Sequence, residues 1–158
     1  MNQSDLMNRI SKLEEGILPG NVEVAGNLTV TGALTGSFPV EAVTDATRTV
    51  LAAESGTIFV QTRSSTTCIF TLPTPAAGLT YTFVCGHASS EILFTPGTGK
   101  AIITKIHSAQ DGTGLAPAAG TGIKNTAATN VIGDSITLVA LNTTTWYGTS
   151  IIGLWASR

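Results

Sequence analysis

The sequence predicts a mainly β protein made of three parts and assembled as a homotrimer. These parts are a short N-terminal helix (1–19), an intertwined β-shaft of six-residue repeats (20–38) and a C-terminal, jelly-roll-like β-sandwich head (39–158). Three observations lead to this prediction: apolar residues at coiled-coil spacing near the start, a glycine-led repeat directly after them, and many short alternating segments in the remainder.

The composition points to a neutral surface. Asp, Glu, Lys and Arg make up 11% of the 158 residues, against about 25% in a typical soluble domain. A net charge of −2 gives no electrostatic reason to expect nucleic acid or an anionic membrane as a partner. No apolar run approaches the roughly 18 residues of a membrane helix, and the N-terminus lacks the features of a signal peptide. We therefore expect a soluble protein that buries part of its neutral surface against other chains.

The first segment predicts a short amphipathic helix. Ser4 suits the N-cap position, and Gly16 with Pro19 ends the helix. The helix has only about two heptads, too few to be stable alone in water. It is therefore either a marginal coiled coil held by its neighbours or a stripe that docks on another protein, and packing on its own head is the remaining alternative. Its apolar positions are Leu6, Ile10, Leu13 and Ile17.

The second segment repeats every six residues. Gly20, Gly26 and Gly32 each begin a unit, and the alternation within each unit is typical of a strand. Units of this kind cannot bury their apolar side alone, so we predict that three chains wind around a shared axis; a β-meander edge on the head is the alternative. The predicted shaft core consists of Val22, Val24, Leu28, Val30 and Leu34.

The third segment contains many short strands separated by turn residues, as in a sandwich or jelly roll. The stretch 108–130 is rich in Gly and Ala, and we expect a mobile, extended excursion there, either over the surface or onto a neighbouring subunit. Cys68 and Cys85 each lie in an apolar strand and are expected to be buried free thiols; a disulfide between neighbouring strands is the alternative. The predicted strands are 49–51, 57–61, 68–72, 80–85, 92–95, 101–106, 135–141, 146–150 and 151–155.

The sequence shows no set of residues typical of catalysis or metal binding. Its carboxylates are scattered, whereas a glycosidase needs two that converge in a cleft; Glu54 and Asp134 would meet only through folding. His87 and His107 follow strand ends and are expected to be solvated, the alternative being a metal on a trimer axis that takes one histidine from each copy. The fragment 112–114 lacks the lysine of a phosphate loop. We therefore predict no enzyme, no cofactor and no metal.

Three large aromatic residues lie in the last two predicted strands. Trp146, Tyr147 and Trp155 are expected in the core. The alternative is that one of them closes a subunit interface, where Trp and Tyr are enriched.

Several segments of the chain are similar to those of phage structural proteins. The hexads Gly26-Asn-Leu-Thr-Val-Thr-Gly32 are of the kind found in the shafts of phage fibres. The order of segments in the head is also familiar: Ser55-Gly-Thr-Ile-Phe-Val, Phe70-Thr-Leu-Pro73, Ala76-Ala-Gly-Leu-Thr-Tyr-Thr-Phe-Val84, Gly133-Asp-Ser-Ile-Thr-Leu-Val139 and Trp146-Tyr-Gly. Over nearly its whole length the chain resembles the small trimeric head-fibre, decoration or cement proteins on the capsids of tailed bacteriophages.

The resemblance implies a structural protein on the outside of the virion, made in the host cytoplasm. Such proteins attach to the major capsid protein by their N-terminal part, stabilise the shell and project a β-rich knob. Two alternatives remain open. One is the receptor-binding tip of a tail fibre, which contacts the host cell surface through a glycan and would be favoured by aromatic residues clustered at the apex of the knob. The other is a polysaccharide depolymerase.

Overall fold

The computed structural model describes residues 38–64, 67–88, 90–107, 115–120 and 122–158. The predicted helix over 1–19 and all but the last residue of the predicted shaft over 20–38 lie outside these residues and stay predictions. The described residues are mainly β, which confirms that part of the predicted fold class. Helical structure among them is limited to one 3₁₀ turn, Ala52–Glu54.

The described chain forms two mixed sheets. The seven-stranded sheet has the order β1-β3-β5-β10-β11-β7-β8, and the five-stranded sheet has the order β12-β9-β6-β4-β2. The strands in chain order are β1 (Val40–Val43), β2 (Thr47–Thr49), β3 (Ile58–Gln61), β4 (Cys68–Thr71), β5 (Thr80–Cys85), β6 (Ile92–Thr95), β7 (Ala101–His107), β8 (Leu115–Gly120), β9 (Ile123–Asn125), β10 (Ser135–Ala140), β11 (Thr145–Ile152) and β12 (Trp155–Ser157).

The first six strands alternate between the two sheets. The odd-numbered strands join the seven-stranded sheet and the even-numbered ones the five-stranded sheet, and within each sheet they pair in parallel. The chain therefore makes three stacked coils, 40–49, 58–71 and 80–95. The sandwich-like character agrees with the prediction. The jelly-roll topology is not confirmed, because a jelly roll is built from antiparallel Greek keys, whereas these neighbours are parallel.

An aromatic core joins the two sheets. Alternate residues of a strand point to opposite faces, and the inward positions of the second and third coils carry phenylalanines: Phe59 lies opposite Phe83 in one sheet and Phe70 opposite Phe94 in the other. Rings meet across the sandwich, with centroids 4.6 Å apart for Phe83 and Phe94 and 4.9 Å for Phe70 and Phe83. All four rings are fully buried.

The remaining strands complete the sheets through antiparallel pairs and through the parallel pairing of β11 with β7. β10 lies between β5 and β11, and β9 joins β6 to β12. Trp146 packs on Tyr81, and Trp155 stacks on Phe94, with ring centroids 5.6 and 5.8 Å apart respectively. Both tryptophans are buried and pack in the core, as expected from the sequence. Tyr147, expected there too, is half-buried and lies on the other side of β11.

Two expectations for the second half of the chain are corrected. The stretch 108–130 contains β8 and β9, which form because β7 and β6 offer them hydrogen-bonding partners. The predicted strands 146–150 and 151–155 are divided differently. β11 continues to Ile152, because its pairing with β10 resumes after an irregularity at Ser150, and β12 begins only at Trp155, after Gly153. Residues 108–114 and 121 lie outside the described chain.

The two cysteines are free and fully buried, which confirms the expectation for them. Cys68 points inward from β4 and Cys85 from β5. The alternative of a disulfide between neighbouring strands is wrong.

Candidate interaction surface

The outward side of the seven-stranded sheet is the most distinctive surface of the described head. We call it the neutral face and define it by the outward residues of β1, β3, β5, β10 and β11. These are Val40, Ala42, Ile58, Val60, Thr80, Thr82, Val84, Ser135, Thr137, Val139, Thr145, Tyr147, Thr149 and Ile152. None of them is charged. Pairing of the strands therefore brings into one surface residues that are far apart in the sequence.

Two rows of residues cross the neutral face along the register. The first row runs from Val40 through Ile58 to Thr82, Thr137 and Thr149. Its threonines are tied together, since the Thr82 and Thr137 hydroxyls lie 3.0 Å apart and Thr149 Oγ1 donates to the Thr137 carbonyl at 3.3 Å. Each of these three hydroxyls therefore has a hydrogen-bonding partner within the sheet.

The second row is largely aliphatic. It consists of Ala42, Val60 and Val84, followed by Ser135 and Ile152. Ile152 is 59% exposed. An uncharged, mainly aliphatic row with an exposed isoleucine at its end suits contact with another protein.

A shallow cleft lies at the β1 side of the neutral face. Its volume is about 260 Å³, and its lining includes Phe38, Ile58 and Thr82 together with part of Tyr81. Phe38 is 70% exposed and Val40 66% exposed. Water therefore reaches two large apolar side chains at the point where the preceding segment of the chain enters the head.

The opposite outer surface, on the five-stranded sheet, has a different character. Lys124 Nζ lies 3.4 Å from a carboxylate oxygen of Glu91, and the Arg158 guanidinium donates to Thr95 Oγ1 at 3.4 Å. This surface therefore carries charges of both signs. These charges lie in β9 and at the ends of β6 and β12, whereas the residues that define the neutral face carry none.

The edge strands β1 and β2 end the stack of coils with charged residues that point inward. Arg48 pairs with Glu41 and with Glu54, and its guanidinium lies 5.4 Å from the centroid of the Phe59 ring. The pairing with Arg48 lowers the pKa of Glu41. Inward-pointing charges at a sheet edge discourage the addition of a further strand. The ion pair therefore caps the stack of coils at β1 and β2.

The carboxylates considered for catalysis do not converge. Glu54 binds Arg48 and accepts the Leu51 backbone N–H at 2.8 Å. Asp134 instead accepts the Asn125 side-chain amide and the Val131 backbone N–H, each at 3.0 Å. Each carboxylate has its own local partners, so they do not form a pair.

An enclosed polar cluster ties loops to the end of β3. Gln61 donates to Ser90 Oγ at 2.9 Å, and Asn130 donates to the Ser90 carbonyl at 2.7 Å and to Cys85 Sγ at 3.6 Å. Gln61 and Ser90 are fully buried, and burial raises the pKa of the Cys85 thiol. A thiol that stays protonated and enclosed is a weak nucleophile, so the cluster holds structure together.

The histidines do not form a metal site in the described part of the chain. His87 is half-buried rather than freely solvated, because the turn after β5 folds back and Cys85 Sγ donates to its carbonyl at 3.4 Å. The side chain of His107 lies outside the described residues. Among residues with described positions, no group of three or more His, Cys, Asp or Glu side chains is placed to hold a metal ion.

The interface residues predicted from the sequence all precede Phe38 and lie outside the described chain. They are Leu6, Ile10, Leu13, Ile17, Val22, Val24, Leu28, Val30 and Leu34, and their predicted role stays a prediction. Tyr147 is the predicted aromatic that reaches the neutral face, beside Val139. The neutral face itself was missed: the outward positions of the predicted strands 57–61, 80–85 and 135–141 carry no charge, but the sequence does not show that these strands are neighbours.

Within the described chain there is no helix of the length and apolarity needed to cross a membrane. Neither a protein-family model nor a curated protein sequence matches the chain.

Proposed function

We propose that the chain is a structural virion protein, a homotrimer bound to the outside of a tailed-phage capsid as a decoration, cement or head-fibre protein. In this role it stabilises the shell and presents the head as a β-rich knob. The observation that carries the proposal is the neutral face, a broad surface without charge whose exposed apolar side chains suit permanent contact with protein. The glycine-led hexads before the head support it, because they need other copies to bury their apolar side.

The proposed mechanism is binding through several copies at once. The apolar stripe Leu6 to Ile17 provides one modest contact per chain, either with the capsid or within the trimer. When three chains share a shaft, the second and third contacts form at high effective concentration. A trimer that bridges neighbouring capsid subunits adds favourable contacts between them, and these contacts stabilise the shell.

The alternative is a fibre tip that recognises a host surface glycan. Sugar recognition commonly uses exposed aromatic rings. In the described head both tryptophans and Tyr81 are buried, while Tyr147 is half-buried and Phe38 lies at the chain's entry to the head. Because no cluster of exposed rings forms among these residues, we place capsid binding first.

The first experiment measures the mass of the full-length protein by light scattering over a dilution series. We expect three times the chain mass of 16.2 kDa, unchanged on dilution. Leu28→Asn, in the predicted shaft core, should weaken the trimer, whereas Thr29→Asn at the neighbouring position should not. A well-ordered monomer for the unmodified chain would overturn the proposal.

The second experiment separates the two functions. Purified protein is sedimented with emptied shells of the phage that encodes it and, in parallel, with host cells. We expect binding to shells and a higher temperature of shell disruption. Binding to cells alone would establish the glycan-binding alternative, and binding to neither would remove the proposed virion-surface role.

A further inference from the structure

We infer that a second copy of this chain covers the neutral face of the head, centred on Ile58, Val60 and the cleft beside Phe38. The inference rests on the proposed function and deepens it, since it names the surface through which the heads of the assembly contact one another. It concerns the described head and is independent of how the predicted shaft is wound.

The first argument is where the chain enters the head. Thirty-seven residues precede Phe38, and they carry the repeats that require other copies. They join the head at Phe38 and Val40, whose side chains are 70% and 66% exposed at the border of the neutral face. Copies joined through the preceding segment are therefore tethered to one another at this border of the neutral face.

The second argument is charge. A strongly acidic or basic partner gains nothing from a face without charge, and it loses hydration when it is buried there. The neutral face is complementary to an equally neutral, apolar surface. This chain provides such a surface on every copy. The five-stranded sheet, with Lys124, Glu91 and Arg158, remains available for solvent or for another partner.

The third argument concerns the direction of contact. Addition of a strand to the edge of β1 would place it next to the inward-pointing ion pair of Glu41 and Arg48, an arrangement that discourages edge-to-edge pairing. The second copy therefore packs on the face rather than extending the sheet. The cleft of about 260 Å³ at Ile58 gives this packing an anchor, because it is open to an apolar side chain of the other copy.

The test compares two isoleucines that are matched in the single chain. Ile58 and Ile69 are both half-buried and point outward, but Ile58 belongs to the neutral face and Ile69 to the five-stranded sheet. Full-length Ile58→Cys and Ile69→Cys are treated with a thiol reagent under native conditions. The native thiols give little background, since Cys68 and Cys85 are fully buried. We expect Ile58→Cys to react at least about tenfold more slowly than Ile69→Cys, because the contact must open before the reagent enters.

Each result decides between explanations. Equal rates in a trimeric protein overturn the inference while leaving the proposed function in place, because the copies would then meet elsewhere. Equal rates in a monomeric protein overturn both. An Ile58→Cys thiol that becomes protected only when emptied shells are added overturns the inference in favour of the capsid as the occupant of the face. Reaction of more than one thiol per chain would show that a variant has unfolded.

A second pair of variants addresses the same face without relying on cysteine. Val60→Lys places a charge in the aliphatic row, and Ile69→Lys places the same charge on the other sheet. We expect Val60→Lys to shift dissociation of the trimer to at least about tenfold higher protein concentration, since an unpaired buried charge is costly. Ile69→Lys should leave dissociation unchanged. Similar behaviour of both variants would contradict a contact at the neutral face.

Discussion

Glu41 and Arg48 join the first strands of the two sheets through two parallel hydrogen bonds. Arg48 Nε donates to Glu41 Oε1 at 2.7 Å, and Arg48 Nη2 donates to Oε2 at 2.8 Å. By register Glu41 lies opposite Phe59 and Arg48 opposite Phe70. The inward positions that pack aromatic rings inside the stack therefore carry an ion pair at its end, and the guanidinium covers the last ring.

Arg48→Met tests how much the ion pair of Glu41 and Arg48 contributes to the free energy of unfolding. The change leaves Glu41 and Glu54 near each other without their cation. We expect the free energy of unfolding to fall by about 1–2 kcal/mol, because Glu41 remains partly open to solvent and charged hydrogen bonds in such places are weakened by water. Urea denaturation at one fixed protein concentration measures it. The control Lys124→Met, which breaks the looser pair with Glu91, should cost less than about 0.5 kcal/mol; equal losses would argue against a special role of the cap.

The same pair predicts a loss of stability in acid. The hydrogen bonds from Arg48 hold the pKa of Glu41 below its ordinary value of 4.5. Unfolded Glu41 thus binds a proton at higher pH than folded Glu41, and falling pH favours the unfolded chain. The contribution is present above about pH 4.5 and is lost as the pH falls through the folded pKa. Thermal melts between pH 3 and 6 should show a shallower acid decline for Glu41→Gln than for the unmodified protein; identical slopes would contradict this assignment.

Phe83 is expected to be the most costly core position to truncate. Its ring centroid lies within 5.4 Å of those of Phe59, Phe70 and Phe94. Phe83→Ala should lower the free energy of unfolding by about 3–5 kcal/mol through lost contacts and a cavity, and Phe83→Leu by less. Thr71→Ala, on the outside of β4, is the control and should cost under about 1 kcal/mol. Both free energies are measured by denaturant titration. Equal losses for Phe83→Ala and Thr71→Ala would contradict the central position of Phe83 in the core.

The two thiols should be unreactive in the folded protein. Burial raises the pKa of Cys68 to about 11 and also raises that of Cys85, so neither forms a thiolate at pH 8. We expect no modification by a thiol reagent in native buffer and two modified thiols per chain in denaturant. Rapid reaction of either thiol in the native state would show that β4 or β5 opens readily.

Gly153 is expected to tolerate no side chain, because a Cβ there would overlap the Asp134 carboxylate. Gly153 also has a φ of +89°, so a control must separate strain from overlap. Gly133 provides it, with a φ of +98° and open space around the position. We expect Gly133→Ala to cost about 1–2 kcal/mol from the backbone alone, and Gly153→Ala clearly more. Equal losses in melting temperature would show that the overlap is relieved without cost.

The strands β5 and β6 were predicted with their observed bounds, Thr80–Cys85 and Ile92–Thr95. β5 alternates buried with half-buried residues, β6 is a short apolar run, and turn residues flank both. β8, Leu115–Gly120, could not be predicted in this way. It is rich in Ala and contains Pro117, so its own strand preference is weak, and its pairing with β7 determines its conformation.

The order of the strands in each sheet could not be predicted from the sequence either. The predicted jelly roll requires antiparallel neighbours, while β1, β3 and β5 pair in parallel because the chain crosses to the other sheet between them. Hydrophobic alternation shows which side of a strand is buried, but it does not reveal which strand lies next to it. For the same reason the neutral face could not be recognised before the strands were placed side by side.

The sequence by itself determined that the head is β-rich, where most of its strands lie, that both tryptophans belong to its core and that its cysteines are buried as thiols. These properties depend on patterns within a few residues, which local sterics and burial impose. Only the tertiary structure decided the coiled parallel pairing, the ion pair that replaces two phenylalanines at the end of the stack, and the neutral face. Each of these depends on hydrogen bonds and contacts between segments far apart in the chain, and a local pattern does not specify those partners.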